Sequence, residues 1–139
     1  MKKRIIALGL LWCLSAVMLQ AARVDTVLVR SAAMNKDVKV VYVLPDKAIG
    51  KQACPVVYLL HGYGGNARSW VQLKPELPQM ADEKGIIFVC PDGKNSWYWD
   101  SPENPAYRYE TFVTSELVKY TDGNYATIPD RKARAISGL

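Results

Sequence analysis

The chain has 139 residues with 18 basic and 13 acidic side chains, a formal charge of +5. Three of the bases, Lys2, Lys3 and Arg4, lie at the extreme amino terminus; removing those three leaves 15 bases against 13 acids. That balance lacks the excess of basic groups behind a phosphate-binding face, so nucleic acid is not an expected partner. Half of the residues are hydrophobic and 22% are charged, a globular rather than disordered composition, and three cysteines exclude a disulfide-stapled miniprotein.

Met1–Ala22 reads as a secretory signal peptide, leaving 23–139 as the folded part. Lys2-Lys3-Arg4 is a positive n-region, Ile5–Leu19 is an apolar run of 15 residues broken only by Gly9 and Ser15, and Gln20-Ala21-Ala22 brings small residues for cleavage. A membrane span takes about 20 apolar residues, so no stable anchor is expected after cleavage. A lipoprotein attachment through Cys13 is disfavoured by the bulky Trp12 before it. The expected location is a periplasm or the extracellular space.

Val24–Arg30 alternates in polarity and Val38–Leu44 is β-branched and apolar, with Asn35-Lys36-Asp37 between them as a turn; this predicts an antiparallel hairpin. Pro45–Pro55, with Gly50 and two lysines, reads as a solvated loop. Val56–Leu60 and Ile86–Cys90 are short continuous apolar runs, the pattern of strands covered on both faces. Between them Ser69–Lys84 reads as a helix broken near Pro75–Pro78 and closed by Gly85. Glu110–Tyr120 carries Phe112, Val113, Leu117 and Tyr120 at helical spacing, and Arg134–Ile136 begins a third buried strand. Hairpin, strand, helix, strand, helix, strand is the order of an α/β sheet with parallel central strands and helices on both faces. Cys54 precedes one predicted strand and Cys90 closes the next. Parallel neighbours would hold these thiols at opposite edges of the sheet, too far apart for a disulfide.

Pro91–Tyr109 is a long loop after the carboxyl end of a strand, where open α/β sheets bind ligands. Of its aromatic residues, Trp97, Tyr98, Trp99 and Tyr109 are candidates to line a substrate cleft; ring packing that merely pins the loop is the competing use. His61-Gly62-Tyr63-Gly64-Gly65 follows a buried strand and precedes a helix. Its glycines let the backbone turn sharply and expose N–H groups that can stabilise an oxyanion. His61 is the only histidine. Because this type of fold places its base after the nucleophile, His61 reads as a structural ring beneath the loop. One histidine and two distant cysteines make no metal-ligand set. Ala135-Ile136-Ser137-Gly138-Leu139 runs into the first two positions of the G-x-S-x-G nucleophile elbow. Ser137 itself lacks the flanking glycines.

Tyr58–Gly65, Pro91-Asp92-Gly93, Ser96-Trp97-Tyr98, Asp100-Ser101-Pro102, Tyr109–Phe112, Glu116-Leu117 and Arg134–Leu139 together resemble the putative-esterase family of α/β hydrolases. That family includes esterase D, S-formylglutathione hydrolases, feruloyl and acetylxylan esterases and bacterial mycolyltransferases. The resemblance covers roughly Val38–Leu139. It implies the amino-terminal half of an α/β-hydrolase sheet and a carboxylic-ester hydrolase acting through an acyl-serine intermediate. The N–H of Tyr63 becomes an oxyanion donor, with His61, Gly62, Gly64, Gly65, Asp92 and Gly138 shaping the surrounding loops. In the family the nucleophile, acid and base all follow the position of Leu139, so this chain is expected to be an inactive fragment. Small-molecule or carbohydrate-linked esters are the expected substrates, with no metal or organic cofactor. An acyltransferase on the same fold, or a non-catalytic carbohydrate-binding relative, are the alternatives.

The export reading makes a direct prediction: amino-terminal sequencing of the secreted protein should show cleavage near Ala21 or Ala22. A membrane-held product still beginning at Met1 would overturn it.

Overall fold

The computed structural model describes residues 22–139; the signal peptide inferred for Met1–Ala22 lies, but for Ala22, outside the described residues. Five strands form one sheet: β1 (Arg23–Ser31), β2 (Lys36–Leu44), β3 (Val56–Leu60), β4 (Ile87–Pro91) and β5 (Arg134–Gly138), in the spatial order β1-β2-β4-β3-β5. β1 pairs antiparallel with β2, and β2 antiparallel with β4, whereas β4, β3 and β5 run parallel. The expected hairpin and parallel centre are both present.

Side-chain alternation divides the strands between two cores. Val40, Tyr42, Leu44, Val56, Tyr58, Ile87 and Val89 face one layer, which is covered by Tyr109, Phe112, Val113 and Leu117. Val41, Val43, Leu59, Phe88 and Cys90 face the other, covered by Ala67, Leu77 and Ala81. The helices doing the covering are α2 (Ser69–Leu73) and α3 (Leu77–Lys84) on one side. On the other runs a continuous helical segment made of α4 (Tyr109–Thr111), a π-helical stretch (Phe112–Leu117) and α5 (Val118–Asn124). The expected break falls at Lys74–Glu76, and Gly85 closes α3 with φ +63°, the left-handed conformation that favours glycine there.

Three expectations need correction. The hairpin turn is Ala32–Asn35 rather than Asn35–Asp37, with Lys36 already paired to Ser31. Glu116 on the distant helix sets this turn: it accepts hydrogen bonds from Ser31 Oγ at 2.6 Å and Ala33 N at 2.9 Å. The loop Pro45–Pro55 contains a one-turn helix, α1 (Asp46–Ile49), whose Ala48 is buried. Arg134–Ile136 belongs to a strand that is not buried. β5 lies at an edge of the sheet among the described residues and pairs with β3, leaving Ile136 61% exposed.

Cys54 and Cys90 are free, buried thiols that belong to opposite cores as well as opposite strand ends. Burial pushes the Cys90 thiol up to about 12 and raises that of Cys54. In the protein from residue 23 onward neither should be alkylated by iodoacetamide at pH 8 until urea is added. A Cys54–Cys90 crosslink in non-reducing mass spectrometry would contradict this arrangement.

Candidate active site

β3 and β4 run parallel in register, Tyr58 opposite Val89, so the loops leaving their carboxyl ends lie side by side. On the other flank Leu60 pairs with Gly138, and the Leu139 N–H donates to the Leu60 carbonyl at 3.3 Å. Three chain segments therefore meet at one edge of the sheet: the loop after β3, the loop after β4 and the end of β5.

The loop after β3 is a tight turn. The Gly65 N–H donates to the Gly62 carbonyl at 3.0 Å, and Gly64 has φ +79°, which places Tyr63 and Gly64 at the centre of a type II turn. Among the described residues the Tyr63 N–H has no hydrogen-bond acceptor. The turn also needs a glycine at 65, where a Cβ would come within 2.9 Å of the His61 ring and 2.8 Å of Ser69 Oγ.

His61 is buried and both of its ring nitrogens are occupied. Nδ1 lies 2.7 Å from the Gly62 carbonyl and so carries the proton; Nε2 accepts from the Gly93 N–H at 3.0 Å. Asp92 Oδ1 is 3.5 Å from Nε2, but with that nitrogen taken by Gly93 the two are neighbours, not a hydrogen-bonded acid–base pair. The carboxylate turns instead to Lys94, accepting from its N–H at 2.9 Å and lying 3.1 Å from its Nζ, contacts that raise the lysine's pKa. The ring thus joins the two loops and has no nitrogen left to take a proton from a nucleophile.

The loop after β4 is folded back on the turn. The Tyr98 hydroxyl accepts the His61 N–H at 3.0 Å, and its ring lies so close to Gly93 that a Cβ there would sit 2.3 Å from ring carbon. Burial raises the Tyr98 phenol well above its ordinary range. The Tyr63 and Trp97 rings stack with centroids 5.4 Å apart, and both remain exposed. Asn95 Oδ1 accepts the Gly64 N–H at 2.9 Å. At the far end Asp100 accepts from the Thr111 N–H at 3.0 Å and from its hydroxyl, which ties the loop to α4 and lowers the Asp100 carboxyl pKa.

These segments enclose a cleft of about 170 Å³. His61, Gly62, Tyr63 and Gly138 line it, as do Trp97 and Tyr98. Gly64 and Gly65 shape the turn beneath. The other two aromatic candidates lie elsewhere. Trp99 is half-exposed outside the cleft. Tyr109 is 1% exposed in the core, its ring edge-on to Tyr107 at 5.8 Å, with Lys36 Nζ over both rings. Tyr109 instead borders a neighbouring cavity of about 210 Å³ beside Asp92 and Lys94. Lys94, Asn95 and Leu139 line the cleft without having been anticipated. Their only sequence signal was membership of the loops around the motif. A larger cavity of about 410 Å³, bordered by Arg23, Lys51 and Asn124, lies away from these loops.

The family profile described as "Putative esterase" matches residues 31–139. The chain belongs to this esterase family. It is 26% identical over 117 residues to an acetyl esterase of Caldicellulosiruptor saccharolyticus, covering 78% of this chain and 43% of that protein. It is 30% identical over 120 residues to a diacylglycerol acyltransferase/mycolyltransferase of Mycobacterium gordonae, covering 79% of this chain and 34% of that one. Among solved structures a ferulic acid esterase superposes with a TM-score of 0.71 at 28% identity, over 85% of this chain and 50% of the other. An S-formylglutathione hydrolase from Agrobacterium tumefaciens superposes with a TM-score of 0.73 at 26% identity, over 84% and 48%. The fold is that of the family's α/β hydrolases, and the chain spans half or less of the length of these relatives.

The imidazole bridge predicts a stability hierarchy in urea unfolding. His61→Ala leaves the buried Gly93 N–H without an acceptor and takes one of the two donors from the Gly62 carbonyl, and should cost about 3 kcal/mol. Tyr98→Phe removes only the acceptor of the His61 N–H and should cost about 1 kcal/mol. Equal, small losses would show that the loops hold together without the ring.

Proposed function

We propose that this chain belongs to an exported carboxylic-ester hydrolase that works through an acyl-serine intermediate. The observation that carries the reading is the Tyr63 N–H, which has no acceptor among the described residues and is held in a type II turn beside the end of β5. In the reaction a serine hydroxyl attacks the ester carbonyl, and the carbonyl oxygen gains negative charge. A backbone N–H already in place, with no bond to break first, stabilises that charge without reorganisation. The nucleophilic serine follows Leu139 in this reading, at the third position of the elbow that Gly138 and Leu139 open. The acid and base come later still, since His61 has no free nitrogen. The exposed Tyr63–Trp97 pair offers a flat apolar wall for the acyl or alcohol part of the substrate. Water then releases the acid and regenerates the serine.

Similarity to a diacylglycerol acyltransferase/mycolyltransferase supports a second reading, in which an alcohol replaces water as the acceptor. The two share every step up to the acyl-enzyme and differ in what enters the cleft afterwards.

Two measurements test the proposal. In the intact protein Tyr63→Pro removes the N–H and should lower kcat by about 10²–10³-fold, whereas Tyr63→Phe keeps it and should cost far less. Equal losses would assign the role to the phenol. The 139-residue chain by itself should not hydrolyse p-nitrophenyl esters above a buffer control. Its continuation should restore turnover, and replacing the first serine after Leu139 with alanine should abolish it again. Turnover by the purified 139-residue chain would redirect the search for a nucleophile to Ser137.

A further inference from the structure

β1 begins with little to hold it. Arg23, Val24 and Thr26 are exposed, and the strand lies at an edge of the sheet among the described residues. Ala22, the residue before it, is held more firmly. Its side chain packs on the core that contains Val41, Val43, Leu77 and Ala81. Its N–H donates to Asp82 Oδ2 on α3 at 2.8 Å, across 60 residues of chain. The contact therefore falls on the residue at which the leader is expected to end.

The acceptor is one half of a carboxylate pair. Asp82 Oδ1 accepts the Asp46 N–H, at the start of α1, at 2.8 Å. The Asp46 side chain has its own Oδ1 buried with no hydrogen-bond partner. Burial first, and the Asp82 charge second, raise the Asp46 carboxyl pKa. Among the described residues neither carboxylate is ion-paired. The bases that follow Ala22 and Asp46 in the chain are directed elsewhere. Arg23 pairs with Asp25 at 2.7 Å, and Lys47 lies along Gly85, where a Cβ would be 3.8 Å from its Nζ. Glu83, next to Asp82, accepts from Gln79 Nε2. Two neighbouring carboxylates with an amide donor and no cation lack a positive charge.

We propose that leader cleavage falls between Ala21 and Ala22, and that the α-ammonium it creates seats on Asp82, beside Asp46, and pins the start of β1 to α3. The inference rests on the export reading. An alanine precedes the cut whether it falls before or after Ala22, so the small-residue rule does not choose between the two bonds. A chain that starts at Arg23 discards the contact with Asp82, whereas one that starts at Ala22 keeps and strengthens it. Hydrolysis of the Ala21–Ala22 peptide gives the oxygen of water to the Ala21 carboxylate and both of its protons to the Ala22 nitrogen, which becomes an ammonium. The amide donor is thereby replaced, in place, by a cation with three N–H groups. A charge-assisted hydrogen bond is about twice as strong as a neutral one. The new charge also offsets the repulsion between the two carboxylates.

The test uses the intact protein, exported on its own leader. Amino-terminal sequencing should give a start at Ala22. Acylation of that α-amine is then followed against pH by mass spectrometry of the amino-terminal peptide. Its midpoint should lie near pH 9, against an ordinary value of about 7.7–8.0 in the same protein unfolded in urea. Asp82→Asn keeps an acceptor oxygen but not the charge; it should bring the midpoint most of the way back and lower Tm by about 3 °C. Asp46→Asn should move the midpoint in the same direction by less. A lowered Tm with an unmoved midpoint would leave Asp82 a purely structural role and overturns the pairing. An exported product that starts at Arg23 or elsewhere, or a wild-type midpoint equal to that of the unfolded chain, overturns the docking while leaving export standing. A membrane-held product still beginning at Met1 sinks the export reading, and this inference with it.

Discussion

The His61 imidazole sits between two backbone groups that belong to different strands' loops. One nitrogen is set against the Gly62 carbonyl and the other accepts the Gly93 N–H. Loops at the end of a sheet have few apolar contacts to hold them, and two such loops would ordinarily move independently. Here a buried ring ties them together, and withdrawing it would leave the buried Gly93 N–H without an acceptor. The rest of the site follows from this bridge. Tyr98 can reach the His61 N–H only because the second loop is held against the first. Trp97 can stack on Tyr63 only because Tyr98 has already folded the aromatic segment back.

The sheet supplies the frame that brings those loops together. Alternating side chains of β2, β3 and β4 fill two cores, so the central strands are fixed from both faces and their ends are stationary. Placing β3 between β4 and β5 brings the glycine-rich turn between the aromatic loop and the Ser137-Gly138-Leu139 segment. A Cβ on Gly62 would lie 3.5 Å from the Leu139 side chain, so the turn and the strand end are in contact distance of each other. Glu116 performs a comparable service at the β1–β2 edge of the sheet, where a helix carboxylate ties down the hairpin turn.

Much of this frame was legible in the residues. Val56–Leu60 is a strand with the bounds its apolar run suggested, and the prolines near 75–78 and Gly85 marked the break and end of the α2–α3 region. Those features depend on short-range chemistry that composition displays. Other features depend on distant partners and were not legible. The hairpin turn shifted to Ala32–Asn35, where a carboxylate 85 residues from Ser31 holds it. Tyr109 looked like a cleft residue because it closes an aromatic loop, yet it opens a helix whose inner face is core, and burial decided its place. The π-helical stretch at Phe112–Leu117 leaves apolar spacing close enough to an α-helix to pass for one. Asn95 carries no motif at all; its relevance lies in one hydrogen bond across 31 residues.

The close contact of the Tyr98 ring with Gly93 has a consequence for how such sequences diverge. The space that a side chain at position 93 would need is the space the ring occupies, down to 2.3 Å. Neither position can drift alone: a larger residue at 93 is admissible only where the aromatic at 98 has been surrendered, and with it the acceptor for the His61 N–H. Positions 93, 98 and 61 should therefore change as a covarying set across the family, and a lineage that has lost one of the three should show the other two released from constraint.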